Sequence, residues 1–135
     1  MLTMADLLVV EDDPDAADLL TRLLETGGHR IRQAANGQKA LEEALARTPD
    51  LVLLDLAMPQ MDGPSLLQIL RSYLRWHALP VLIVTALPAN DPTLLRAQGL
   101  GVSGTFYKGG YRPSDLLDRI NELTAPAKGA GKSMA

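Results

Sequence analysis

Five short apolar runs recur along this chain about every 24 residues, each followed by a longer stretch with helical spacing, and that alternation limits the possible folds more than any other feature. Leu7-Leu8-Val9-Val10, His29 to Ala34, Leu51-Val52-Leu53-Leu54-Asp55, Val81-Leu82-Ile83-Val84-Thr85 and Thr105 to Lys108 read as strands. The third has no polar residue before its end, which is the pattern of a strand covered on both faces. Strand then helix, five times over, predicts an α/β fold: a doubly wound, five-stranded parallel sheet with helices on both faces. Right-handed crossovers leave few topologies, and ligands in such sheets sit at the carboxyl ends of the strands.

The connecting segments carry helix signals. Asp13-Pro14 supplies a cap and a proline at the first helical position, and Ala16, Leu19, Leu20, Leu23 and Leu24 form a stripe that ends at Gly27-Gly28. Asn36-Gly37 is a turn or cap before a helix lined by Ala40, Leu41, Ala44 and Leu45. A loop through Pro59 and Gly63 leads to a helix over 64–75, a short helix lies near 93–99, and the last runs from Pro113-Ser114-Asp115 to about Thr124. Residues 125–135 are mostly Gly, Ala, Lys and Ser without apolar period, the composition of a disordered tail. A single domain over 5–124 is expected.

Composition closes off several functions. With 47% apolar residues the chain can build a core, and with no cysteine it has no disulfide, thiolate metal site or cysteine nucleophile. The two histidines, His29 and His77, stand outside any metal-binding spacing; both, like Trp76, read as surface or partly packed residues. A net charge of −3 argues against a nucleic-acid partner. No apolar run is long enough for a membrane span and no signal peptide opens the chain, so a soluble, cytoplasmic protein is expected. The charge is uneven: residues 1–21 hold six acids and no base, and Glu11-Asp12-Asp13 directly follow a strand. Clustered carboxylates repel one another, so a cation belongs beside them.

Four strands end in polar groups on the same edge of the sheet: Glu11-Asp12-Asp13, Asp55, Thr85 and Lys108. Three carboxylates make a hard oxygen site suited to Mg²⁺, while a hydroxyl and an ammonium supply what a phosphoryl group needs. A carboxylate can itself be the nucleophile, giving an aspartyl phosphate.

At these residues the chain resembles the receiver domain of two-component response regulators. Leu-Val-Val-Glu-Asp-Asp-Pro (8–14), Asp-Leu-Ala-Met-Pro-Gln-Met-Asp-Gly (55–63), Val-Thr-Ala (84–86) and Lys108 carry the resemblance, which spans residues 5–124. It implies a flavodoxin-like sheet of order 2-1-3-4-5, for which a receiver protein is a standard example. It implies Asp55 as phosphoacceptor, Asp12 as direct Mg²⁺ ligand, Glu11 acting through water, and the backbone carbonyl of Ala57 as a further ligand. Asp13 is then the helix cap. Thr85 and Lys108 would hold phosphoryl oxygens. The donor would be a phosphohistidine on a sensor histidine kinase or phosphotransfer protein, and the domain would be a switch rather than an enzyme, acting on a downstream protein. The output surface so implied includes Arg96, Tyr107, Tyr111 and Arg112. No output domain follows residue 124, so a stand-alone receiver or a piece of a longer chain is expected.

The chain departs from the family pattern at two places. Gly109 follows Lys108 where a proline is usual, and Thr105 stands where many receivers carry a switching aromatic. These leave room for a second reading, a receiver-fold interaction module that works without phosphorylation. Ala57 and Leu87, two residues beyond Asp55 and Thr85, are placed to tune phosphate lifetime. Two apparent phosphate-binding motifs fail on context. Gly99-Leu-Gly101-Val-Ser-Gly104 follows a helix and precedes a strand, the reverse of what a dinucleotide site needs, and Gly131-Lys132-Ser133 lacks the first glycine and a following helix.

Overall fold

The computed structural model describes residues 4–56 and 63–125. Among these, β1 (Asp6–Val10), β2 (Arg30–Ala34), β3 (Leu51–Leu54), β4 (Val81–Thr85) and β5 (Gly104–Tyr107) alternate with α1 (Pro14–Thr26), α2 (Gly37–Ala46), α3 (Gly63–Ser72), α4 (Pro92–Gly99) and α5 (Pro113–Thr124). The strands form one parallel sheet of order β2-β1-β3-β4-β5, as the sequence led us to expect. Ala125 lies at the end of α5; the rest of the expected tail, and Ala57 in the loop after β3, fall outside the described residues.

Every residue of β3 and β4 is buried, and the alternation of side chains along a strand divides the core in two. Leu8, Val10, Val52, Leu54 and Ile83 meet α2, α3 and α4 on one face. Leu7, Val9, Leu51, Leu53, Leu82 and Val84 meet α1 and α5 on the other. Each fully buried aliphatic side chain contributes about 1.5–3 kcal/mol relative to exposure, so a strand that slipped register would lose most of the core at once.

Local signals set the helix starts. Asp13 is extended and its side chain accepts the Asp15 N–H, with Pro14 as the first helical residue of α1. Asn36 caps α2 by accepting the Lys39 N–H at 2.9 Å. The apolar stripes are less deeply buried than their periodicity suggests. Leu24 is in the core, but Leu19 is 70% exposed and Leu45 lies largely in solvent.

The third helix stops at Ser72, short of residue 75. Tyr73 turns extended (φ −98°, ψ 135°) and Leu74–Trp76 form one 3-10 turn. This break accompanies an inward turn of Trp76, which is core and not surface. Its indole N–H donates to Thr48 Oγ1 at 3.2 Å, and the Tyr73 ring packs edge-on at 5.2 Å. Arg71 closes the break by donating to the carbonyls of Trp76, His77 and Gly101. A lone tryptophan among Arg and His residues has no apolar period to reveal it.

The amino-terminal edge of the sheet is held by polar side chains. Arg32 donates to both Asp6 carboxylate oxygens, to Glu43 and to the Arg47 carbonyl, while Arg47 also reaches Asp6 at 2.9 Å. Asp50 accepts the Asp6 N–H at 2.8 Å. His29, read from sequence as at most partly packed, is buried. Its Nδ1 accepts the Ala5 N–H at 3.1 Å and its Nε2 lies 3.1 Å from Asn121 Oδ1 in α5. A backbone N–H can only donate, so the ring proton sits on Nε2 and donates to Asn121.

Burial lowers the His29 pKa below its usual 6.5, against a smaller opposing effect of the Asn121 hydrogen bond. The unfolded chain therefore takes up a proton near pH 6.5 that the folded chain still refuses, and stability falls as pH drops from that value toward the lower folded one. Between about pH 7.5 and 5.5 the protein should lose more Tm than His29→Gln, whose amide does not titrate. Equal losses in the two chains would remove His29 as the source.

Candidate functional site

The backbone hydrogen-bond ladder runs past the ends of the strands, and this positions the polar residues that follow. Glu11 N–H donates to Ala34 O (3.0 Å), Asp55 N–H to Val10 O (3.0 Å) and Lys108 N–H to Thr85 O (2.8 Å). The side chains of Glu11, Asp55 and Lys108 thus leave from anchored backbone at one edge of the sheet. Glu11 and Asp55 are buried, at 7% and 8% exposure, whereas Asp12 is exposed.

Carboxylate oxygens of Glu11, Asp12 and Asp55 lie within 4.8 Å of one another. At that distance the buried pair Glu11 and Asp55 repel by on the order of 3 kcal/mol at an effective dielectric constant of about 20. Lys108 offsets the repulsion. Its Nζ donates to Glu11 Oε1 at 2.5 Å and to Asp55 Oδ2 at 3.4 Å. Burial works against the Lys108 charge, but the Glu11 hydrogen bond and the Asp55 and Glu11 charges outweigh it and hold the ammonium above its usual pKa. The other Glu11 oxygen accepts the Asp13 N–H at 3.3 Å. Both oxygens of Glu11 are therefore engaged, while Asp12 is open to solvent.

Thr85 is fully buried at the end of β4, and its Oγ1 accepts the Leu87 N–H at 3.1 Å. Beyond β5 the chain reverses at Gly109, whose φ of +80° is a left-handed conformation that costs glycine little and a side-chain-bearing residue more. The Gly110 N–H closes the turn on Tyr107 O at 2.9 Å. Tyr111 then packs edge-on against Phe106, with ring centroids 5.6 Å apart. Burial raises the Tyr111 pKa, and the charge of Lys108 pulls it partly back.

The structure thus brings Glu11, Asp12, Asp55 and Lys108 into one cluster beside Thr85, and places Asp13 as the cap. The four residues named for an output surface lie on both sides of the edge strand β5. Thr105 Oγ1 accepts from Gln98 of α4, so Thr105 and, two residues on, Tyr107 point to the α4 side of the sheet, where Arg96 is exposed. Tyr111 packs with Phe106 on the α1 and α5 side, and the exposed Arg112 pairs with Asp115 in the first turn of α5.

Two supporting groups went unnoticed in the sequence, the backbone N–H groups of Asp13 and Leu87, and neither leaves a side-chain signal. A third, Gly63, does leave one: a glycine where a helix begins. An added Cβ there would sit 2.6 Å from the Leu56 side chain and 2.8 Å from its Cα, next to Asp55. The Gly63 N–H also donates to Leu56 O at 3.3 Å.

Comparison with known proteins identifies the family. Residues 7–121 match the response regulator receiver domain, and the chain belongs to that family of two-component signalling domains. Response regulator MprA of Mycolicibacterium vanbaalenii is 35% identical over 133 residues, covering 96% of this chain and 55% of the relative. The DNA-binding dual master transcriptional regulator RpaA of Synechocystis is 40% identical over 84 residues, 62% of this chain and 35% of the relative. The chain therefore spans from about a third to about half the length of these relatives. The receiver domain of a signal transduction histidine kinase from Syntrophus aciditrophicus superposes with a TM-score of 0.81 at 29% identity, covering 92% of each chain. No helix among the described residues is long and apolar enough to cross a membrane.

Gly63→Ala should cost about 1–3 kcal/mol of stability, because its Cβ must displace Leu56 against a packed core. Denaturant midpoints of the two chains measure this. An unchanged midpoint would mean that the approach of Gly63 to Leu56 is not a constraint.

Proposed function

We propose that this receiver accepts a phosphoryl group on Asp55 and passes the change to a protein partner. The observation that carries the reading is the convergence of the Glu11, Asp12 and Asp55 carboxylates with the Lys108 ammonium at one edge of the sheet. The donor is a phosphohistidine of a sensor histidine kinase or phosphotransfer protein. An Asp55 carboxylate oxygen forms the new bond to phosphorus, the P–N bond to the imidazole breaks, and the leaving nitrogen keeps the electron pair and takes a proton. Lys108 shifts from the carboxylates to a phosphoryl oxygen, and the Thr85 hydroxyl, whose oxygen already accepts from Leu87, donates to another.

The donor set fits Mg²⁺: hard carboxylate oxygens, close together, with one ligand residue in solvent. Asp12 and Asp55 would hold the ion directly and Glu11 through water, since both Glu11 oxygens are engaged. The Ala57 carbonyl, outside the described residues, completes the proposed set. Bound there, the ion would offset charge on the phosphoryl group in transfer.

On this reading the protein is a cytoplasmic switch and not an enzyme, with the domain over 5–124. Its downstream partner is a protein; a nucleic-acid contact, if the whole protein makes one as RpaA's name states for that relative, belongs to segments other than these acidic residues. Arg96 and Tyr107 on one side of the edge strand β5, and Tyr111 and Arg112 on the other, are the candidates for the output surface.

The Thr105–Gln98 hydrogen bond, in place of an aromatic switch, favours the second reading, a module that binds partners without phosphate. One experiment separates the two. Incubation with Mg²⁺ and acetyl phosphate should raise the intact mass by one phosphoryl group, with no gain in Asp55→Asn, in EDTA, or within the same time in Lys108→Ala. If neither acetyl phosphate nor beryllofluoride adds to the wild-type protein, the phosphate-independent reading replaces this one.

A further inference from the structure

The phosphoryl chemistry leaves unused the apolar length of a groove that ends at Lys108. Leu19, Leu20 and Leu23 of α1 form one wall and Tyr111 and Pro113 the other, enclosing about 450 Å³. Leu19 is 70% exposed, a leucine that the fold itself does not use. Volume and lining match a small-molecule site: mostly apolar walls with a few polar groups to fix orientation.

The charged side chains that line the groove, Glu11 and Lys108, neutralise each other, with Lys108 Nζ donating to Glu11 Oε1 at 2.5 Å. An ammonium or carboxylate entering the groove would lose water against apolar walls without meeting an uncompensated opposite charge, whereas a neutral head group gives up far less. The polar groups left to a ligand are donors. Lys108 carries three N–H bonds, of which two go to Glu11 and Asp55. The Tyr111 hydroxyl has no hydrogen-bond partner among the described residues. Burial raises its pKa, so it stays a protonated donor, and the charge of Lys108 acts on it, which puts phenol and ammonium at the same end. We propose that the groove binds a small neutral carbonyl compound, an aryl- or alkyl-substituted amide, ester or ketone. Its apolar part lies against Leu19, Leu20 and the Tyr111 ring, and its oxygen accepts from the Tyr111 hydroxyl and the third Lys108 proton. This binding does not depend on the phosphoacceptor reading of Asp55.

The test uses three probes of one skeleton, 4-phenylbutanamide, 4-phenylbutyrate and 4-phenylbutylamine, titrated in EDTA against the full chain. Methyl resonances of Leu19, Leu20 and Leu23 report binding. The amide should bind about tenfold more tightly than either charged probe. Leu19→Gln, at an exposed position, should weaken the amide, which locates it in the groove. Tyr111→Phe keeps the ring and removes the hydroxyl, and should weaken the amide by about threefold to tenfold, the worth of one hydrogen bond. The proposal is overturned if no probe moves these resonances, if either charged probe binds as tightly as the amide, or if Tyr111→Phe leaves the affinity for the amide unchanged.

Discussion

A strand buried on both faces can carry charge only where it leaves the sheet, and the rest of this molecule depends on that constraint. Leu51–Leu54 and Val81–Thr85 have no exposed position along their length. Their first polar groups, Asp55 and Thr85, therefore emerge at the carboxyl edge. Parallel pairing brings the corresponding ends of β1 and β5 to the same edge, so acids from β1 and β3 meet the lysine that follows β5. Placing Glu11 and Asp55 required no special loop.

That economy has an electrostatic consequence. Carboxylates delivered by neighbouring strands cannot separate, because the ladder pins the backbone of Glu11 and Asp55. Lys108 supplies a counter-charge, and it comes from a turn rather than from regular structure. Gly109 lets the chain reverse directly after it, and Tyr111 on Phe106 ties the far side of the turn to the sheet. The ammonium thus sits at the end of a flexible side chain on anchored backbone and is held by charge, a suitable arrangement for a group that changes partners.

Most of the fold was legible in the sequence because its signals are local and repeated: apolar runs, proline after a cap, glycine after a helix. The order of the sheet and the strand-end residues Glu11, Asp55, Thr85 and Lys108 followed from the family motifs and the alternation. What escaped depends on tertiary contacts. Trp76 and His29 are buried by partners 28 and 92 residues away in sequence, Thr48 and Asn121, and nothing beside them announces it. Leu19 belongs to an apolar stripe yet faces solvent, because the stripe is wider than the surface it covers. Tyr107 and Tyr111, close in sequence, lie on opposite sides of the edge strand because the chain turns between them.

The amino-terminal edge gives the carboxyl edge its freedom. There Arg32, Asp6, Arg47, Asp50 and His29 staple β1, β2, α2 and α5 through side chains, far along the strands from Asp55. The sheet resembles a row of cantilevers clamped at one end. Ions and groups can come and go at the carboxyl ends while these contacts hold β1, β2 and the start of β3, so a change of charge there is spent on the loops and helices around those ends and not on unravelling the core.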